Sequence, residues 1–373
     1  MFELRLLKRL DWWLLAVVLA LCMIGLAAIY SASRADLLAA GRDGLLLAKR
    51  QALWLALGWA GLAVLLYPDY TTALRWRRAI YLTTCLLLVV VIALGRDAGG
   101  AVRWIQVGPL NLQPSELAKL ALIVSLAGVL RRHAGHRRLP LGTLAVSGLY
   151  LAVPFVLVAR QPDLGTGLVL VAVWGVMVIV AGARWQHLLA IGLTALLLFA
   201  GAWQAGAIRD YQKDRLRVFA NPQADPLGAG YHVTQSRIAI GSGGWFGKGY
   251  LHGSQSQLRF IPEQHTDFIF TVVGEEGGLL AGMVVLGLCL ALVWRLWRLA
   301  EGAEDSAGAL LAAGTAAMFG FQGLVNIGMT LGLAPVTGLP LPFLSYGGSS
   351  LLTNLALVGL ALNVGMRRQK IRW

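Results

Sequence analysis

Ten apolar runs recur along the chain, separated by short polar, basic or glycine-rich connections. They lie near residues 12–31, 45–66, 77–95, 114–131, 142–159, 164–181, 185–203, 267–294, 307–331 and 344–365. A run of roughly 18 to 25 apolar residues crosses the hydrocarbon core of a bilayer as a helix. The pattern therefore predicts an all-α, polytopic integral membrane protein of about ten transmembrane helices, with residues 1–373 forming one domain. The first run follows Arg5, Lys8 and Arg9 in the manner of a signal peptide. It is longer than a signal peptide's apolar region and many runs follow it, which predicts an uncleaved first helix.

Composition agrees with a membrane class. The chain is 57% hydrophobic and 13% charged, against about 25% charged in soluble domains. Its net charge of +14 calls for no nucleic-acid partner, because membrane proteins gather Lys and Arg in cytoplasmic loops. With the N-terminus in the cytoplasm, the inside segments hold Arg5, Lys8, Arg9, Arg75, Arg77, Arg78, Arg131, Arg132, Arg137, Arg138, Arg184, Arg295, Arg298, Arg367, Arg368, Lys370 and Arg372. These are more than half of the 32 basic residues. Both termini are expected inside. Cys22, Cys85 and Cys289 sit within apolar runs, with neither disulfide nor metal spacing.

This topology starts every even-numbered helix on the outside, and the polar motifs fall there. Helix 4 opens with Gln113-Pro114-Ser115-Glu116, helix 6 follows Gln161-Pro162-Asp163, helix 8 opens at Asp267, and helix 10 opens within Ser345 to Ser350. The one long extracytoplasmic loop, 204–266, is too long to lack structure and is expected to carry short helices at the surface.

Each motif has a functional and a structural reading. Glu116 and Lys119 share a helix face; they form a structural ion pair, or Lys119 meets an anionic substrate in a polar cavity. Asp163 caps helix 6 or serves the site. Asp267, after the polar stretch that includes Ser256, Glu263, Gln264 and His265, is an N-cap or a general base. Glu275 and Glu276 are rotated off the Asp267 face and make no carboxylate pair with it. The Gly-rich turn around Ser349 is a tight re-entry or a phosphate cradle. If the outside helix starts are neighbours, their positive ends, with Arg103, Lys119, Arg217 and Lys248, form a cradle for a lipid-linked phosphate or pyrophosphate.

These residues resemble the SEDS family (shape, elongation, division, sporulation) over essentially the whole chain. The resemblance rests on Arg103-Trp104-Ile105, Gln113 to Glu116, Gln161 to Gly165, Gly241 to Gly249, Pro262 to Phe270 and Pro342 to Ser350. Gln255 to Phe260 and Pro335 to Pro342 are similar to its elongation branch. The resemblance implies a peptidoglycan glycosyltransferase of the bacterial cytoplasmic membrane. It would polymerise lipid II on the outer face, release undecaprenyl pyrophosphate, and work with a class B penicillin-binding protein and other elongation-complex proteins. The family's essential aspartate falls on Asp267. A divalent cation such as Mg2+ is a candidate cofactor for the leaving pyrophosphate. The alternative function is a transporter that flips lipid II.

Overall fold

The computed structural model describes residues 9–94, 96–98, 101–107, 110–133, 139–206, 210–221, 228–257, 260 and 264–367. Arg5, Lys8, Arg137, Arg138, Pro262, Glu263, Arg368, Lys370 and Arg372 lie outside the described residues, as does the Ser256 side chain.

Each of the ten apolar runs is a helix. These are α1 (Trp12–Ala39), α2 (Leu46–Leu66), α4 (Arg77–Leu94), α5 (Pro114–Leu130), α6 (Leu141–Arg160), α7 (Leu164–Val180), α8 (Trp185–Gln204), α12 (Ile269–Glu301), α13 (Ser306–Thr330) and α14 (Gly348–Arg367). A short α3 (Tyr70–Arg75) joins α2 to α4. Seven of them, α1, α4, α6, α8, α12, α13 and α14, are long and apolar enough to cross a membrane. This is a multi-pass membrane protein. Helix α5, with 17 residues and an ion pair in its first turns, is the central helix, packed on α4, α6, α7, α13 and α14. Because protein surrounds it, it can carry Glu116 and Lys119 without presenting them to lipid. Helix α8 stands outside this core, with none of its described residues buried.

The chain is mostly helical, as expected, with one small sheet in addition. Between α4 and α5 lies an antiparallel sheet of β1 (Arg96–Ala98), β2 (Ala101–Val107) and β3 (Leu110–Leu112), with Arg96 opposite Trp104 and Ile105 opposite Leu112. Val102, Trp104, Ile105 and Val107 favour a pleated strand. A hydropathy pattern tuned to helices of membrane length passes over strands this short.

The long loop does hold helices: α9 (Asp210–Ala220), α10 (Ala229–Ser242) and α11 (Ser254–Gln257). They do not all lie on the surface, however. Helix α10 packs on α12, and its buried Ser236 donates to the Thr330 carbonyl at 2.6 Å. Beyond α10 the chain enters a break in α12. Gly278 there has φ 68° and ψ −166°, dividing α12 into two half-helices.

An unbroken helix would pair the Leu279 N–H with the Glu275 carbonyl, and the Leu280 N–H with the Glu276 carbonyl. At the break, all four groups bond to the loop instead. The Glu275 and Glu276 carbonyls accept from the Lys248 and Gly249 N–H, each at 3.0 Å. The Leu279 and Leu280 N–H donate to the Gly244 and Trp245 carbonyls, at 2.8 and 3.2 Å. A non-helical backbone is tolerated at membrane depth only where protein re-satisfies its polar groups. Close approach makes the glycines necessary: a Cβ on Gly247 would lie 2.1 Å from the Glu276 carbonyl oxygen, and Gly247 itself has φ 78°.

Gly247→Ala is therefore expected to destabilise the fold by about 2 kcal/mol or more through combined strain and clash. Thermal unfolding in detergent measures it. Gly241→Ala is the control, since a Cβ there meets nothing within 4 Å; it should leave stability unchanged or raise it slightly, because alanine suits the α10 interior better.

Candidate active site

Asp267 is not the cap of the helix it precedes. The N-cap position of α12 is Phe268, and no side chain makes a cap bond there. Other contacts fix the backbone at the aspartate. Buried Asn326 of α13 donates from Nδ2 to the Asp267 carbonyl at 2.8 Å and to the Leu339 carbonyl at 2.7 Å. One residue side chain thus ties the turn before α12 to the segment between α13 and α14. Two residues upstream, the His265 carbonyl accepts from the Tyr346 N–H at 2.9 Å, and the two rings lie 5.7 Å apart. Buried Gln264 bonds to Thr271 Oγ1 at 3.1 Å. The Asp267 carboxylate faces Gly338, whose φ is 72°; a Cβ there would lie 3.3 Å from Oδ2. The bare Cα leaves room beside the carboxylate.

From this point the helix starts connect to one another. Gly165, in the first turn of α7, lies against the Thr337 carbonyl, 2.7 Å from where its Cβ would stand. Asp163 caps α7, accepting from the Thr166 N–H at 3.2 Å and Thr166 Oγ1 at 2.9 Å. It also accepts from Ser115 of α5 at 3.3 Å. Ser349 of α14 accepts from the Gln113 N–H at 3.0 Å and donates to the Asn111 carbonyl at 3.1 Å. The starts of α5, α7, α12 and α14 therefore gather at one end of the bundle, as the sequence suggested. The positive ends of these helices add a field favourable to anions.

The cations are placed differently from the expected cradle. Lys119 pairs with Glu116 at 2.7 Å, both buried. Arg103 donates to the Gln161 carbonyl at 3.1 Å and to the Pro162 carbonyl; it orders the turn that leads to Asp163. Lys248 binds Glu275 at 2.8 Å, where Ser254 and the Gln255 N–H also converge. That pair belongs to the helix break, roughly 12 Å along the helix from Asp267. Arg217 pairs with Asp214 at 3.0 Å, and both are exposed. Glu276 accepts from Ser31 of α1 at 2.5 Å. The turn around Ser349 is also occupied from within, since the Gly347 N–H donates to Gln51 at 3.3 Å. It is a re-entry held by protein contacts.

Sequence reasoning missed Asn326 and Arg215. Asn326 is one polar residue in an otherwise apolar run, with no motif to mark it. Arg215 of α9 donates to the Thr337 carbonyl at 3.3 Å, beside Gly338. In the sequence it is one basic residue among Lys213, Arg215 and Arg217, with nothing to choose between them.

A family model described as "Cell cycle protein", covering FtsW, RodA and SpoVE, matches residues 12–370. The chain belongs to the FtsW/RodA/SpoVE family. The "Peptidoglycan glycosyltransferase MrdB" of Escherichia coli is 38% identical over 365 residues, covering 97% of this chain and 95% of that one. A chain in the structure described as "Structural coordination of polymerization and crosslinking by a peptidoglycan synthase complex" superposes with a TM-score of 0.81 at 35% identity, covering 95% of this chain and 97% of that one. The rod shape determining protein RodA of Thermus thermophilus gives a TM-score of 0.71 at 34% identity, covering 97% and 98%. The family match and these superpositions span nearly the whole chain.

For this FtsW/RodA/SpoVE member, removing one partner of the buried Glu116–Lys119 pair should be severe. Glu116→Gln strands the Lys119 ammonium and is expected to cost about 3–5 kcal/mol. The double variant Glu116→Gln, Lys119→Met removes both charges and should recover much of the loss. Unfolding midpoints of the three purified proteins decide this; a double variant no better than the single would contradict it.

Proposed function

We propose that the chain is a peptidoglycan glycosyltransferase of cell elongation, with Asp267 as the general base of an inverting transfer. It takes lipid II as both donor and acceptor on the outer face of the cytoplasmic membrane. The observation that carries this reading is the position of the Asp267 carboxylate. It stands beside the bare Cα of Gly338, where four helix starts converge. The family model pools division, elongation and sporulation members. The elongation assignment draws on the Gln255 to Phe260 and Pro335 to Pro342 segments and on likeness to RodA.

In the proposed reaction Asp267 takes the proton of the acceptor sugar's 4-hydroxyl. That oxygen attacks the anomeric carbon of the donor from the face opposite its diphosphate. The new glycosidic bond forms as the bond to the diphosphate oxygen breaks, and undecaprenyl pyrophosphate departs with the electron pair. A positioned base of this kind contributes about 10²–10⁴-fold, and the field of the converging helix ends favours the charge that develops on the leaving group. Among the described residues, no cluster of three or more His, Cys, Asp or Glu could hold a metal ion. A cation such as Mg2+ would come with the substrate's diphosphate and offset its charge there.

A class B penicillin-binding protein is the proposed partner. The similar chain described above belongs to a complex of polymerization and crosslinking, and a polymerase of this kind leaves strands that a transpeptidase must join. The transporter reading requires a polar route to the opposite end of the bundle. Leu122, Ile123, Leu126, Leu170, Met177 and Leu357, all fully buried, fill that middle and disfavour it.

Reconstitution with labelled lipid II and an inactivated transpeptidase tests the reading. Wild type should yield long glycan strands, and Asp267→Asn should lose at least about 10²-fold in rate while folding normally. Equal polymer from Asp267→Asn would remove it as the base. Lipid II crossing the bilayer without polymer would favour the transporter.

A further inference from the structure

Charge separation poses the sharpest demand in this reaction. A diphosphate leaves a sugar carbon, and the protein must receive its charge within reach of the base. The cations that sequence motifs nominate are engaged away from that point or in holding the fold: Lys119 on Glu116, Lys248 on Glu275, Arg217 on exposed Asp214, and Arg103 on two backbone carbonyls.

We propose that Arg215 is a catalytic residue that binds the diphosphate of the lipid-linked sugar donor and stabilises it as it leaves. This rests on the glycosyltransferase reading above. Two contacts place the group. Its Nη1 donates to the Thr337 carbonyl at 3.3 Å, and the next residue, Gly338, is the one whose bare Cα faces Asp267 Oδ2. The guanidinium and the carboxylate therefore both meet the Thr337–Gly338 segment. The same Thr337 carbonyl touches Gly165 in the first turn of α7, so the positive end of that helix approaches the same segment. Base and cation close together suit a transfer in which one side of the reacting carbon gives up a proton and the other gains negative charge.

Arginine fits this task for a chemical reason. Its planar fork presents parallel N–H groups that match two phosphate oxygens and stays charged at any working pH. Arg215 is half-buried, so its field is less screened than that of exposed Arg217 on the same helix. Tethering one Nη to a fixed carbonyl costs the side chain its rotamer freedom before substrate arrives, which is preorganisation of the kind that lowers a barrier.

A plain structural clasp would also hold Thr337, and the two roles separate by kinetics. The full-length protein in liposomes polymerises labelled lipid II, with undecaprenyl pyrophosphate and undecaprenyl monophosphate as added inhibitors. For Arg215→Gln, kcat should fall about 10²–10³-fold, the cost of deleting one preorganised charge-stabilising donor. Inhibition by undecaprenyl pyrophosphate should weaken about 10-fold, that by the monophosphate far less, because the fork spans two phosphates. Arg215→Lys should recover part of the rate but little of the discrimination. Asp267→Asn, tested by direct binding of undecaprenyl pyrophosphate, should bind it as wild type does. Unchanged pyrophosphate inhibition in Arg215→Gln, or unchanged direct binding of undecaprenyl pyrophosphate where its rate is lost, overturns the proposal. Failure of the underlying reading looks different: wild type itself then makes no polymer.

Discussion

The break in α12 is the constraint on which the rest of the structure depends. A helix interrupted at membrane depth exposes two N–H groups and two carbonyls that lipid cannot satisfy, at several kcal/mol apiece. The segment from Gly244 to Gly249 meets all four, so the long loop cannot leave without unfolding the helix. The consequences spread from there. Lys248, carried in by the same segment, neutralises Glu275, and Ser31 of α1 binds Glu276. Trp245 and Phe246, largely exposed beside the break, present the aromatic surface typical of a membrane interface. The first half of α12, Ile269 to Gly277, becomes a short rigid element with Asp267 at one end and the interlock at the other.

Two ion pairs with buried carboxylates, one in α5 and one at the break in α12, are not explained by stability alone. A buried pair often gains less from attraction than it costs in lost hydration, so apolar residues of the same size would serve the fold as well. Glu116–Lys119 sits in the first turns of the central helix α5, next to Ser115 and its bond to Asp163. Lys248–Glu275 joins loop to helix. Glu116 and Lys119 share one helix and fix its first turns, whereas the Lys248–Glu275 pair sets a register between loop and helix that apolar packing would allow to slide. That is the role for which buried charges have the best support, and a site assembled from four separate helix starts requires such registers.

Much of this was legible in the sequence because a bilayer restricts the choices so strongly. The ten helices, the positions of Asp163, Glu116 and Lys119, and the gathering of helix starts all follow from apolar run length and the placement of polar residues at run ends. The rest depended on contacts between distant segments, which no local pattern carries. Asn326 reads as an isolated polar residue until Asp267 and Leu339 are seen on either side of it. Lys248 reads as a free cation until Gly278 breaks α12 and Glu275 turns out to be its partner. Gly247 and Gly278 read as ordinary membrane glycines, though their backbones touch. Strand β2 was missed for another reason: its seven residues fall below the length to which a span pattern responds.

The acids of this end of the bundle can be ranked by what holds each one. Asp163 spends its oxygens on the first turn of α7 and on Ser115. Glu116 faces Lys119, so a proton taken up there would cost the pair its attraction. Glu275 receives Lys248, Ser254 and the Gln255 N–H together, and Glu276 is tied to α1. Each of these is bound through its carboxylate, and protonating it would loosen structure. Asp267 is held through its backbone as well. Asn326 grips its backbone carbonyl, Tyr346 and Thr271 fix the two residues before it or their neighbours, and the carboxylate is set against a residue with no side chain. Because these contacts hold its backbone, Asp267 can change charge at each turnover without giving up the bonds that place it.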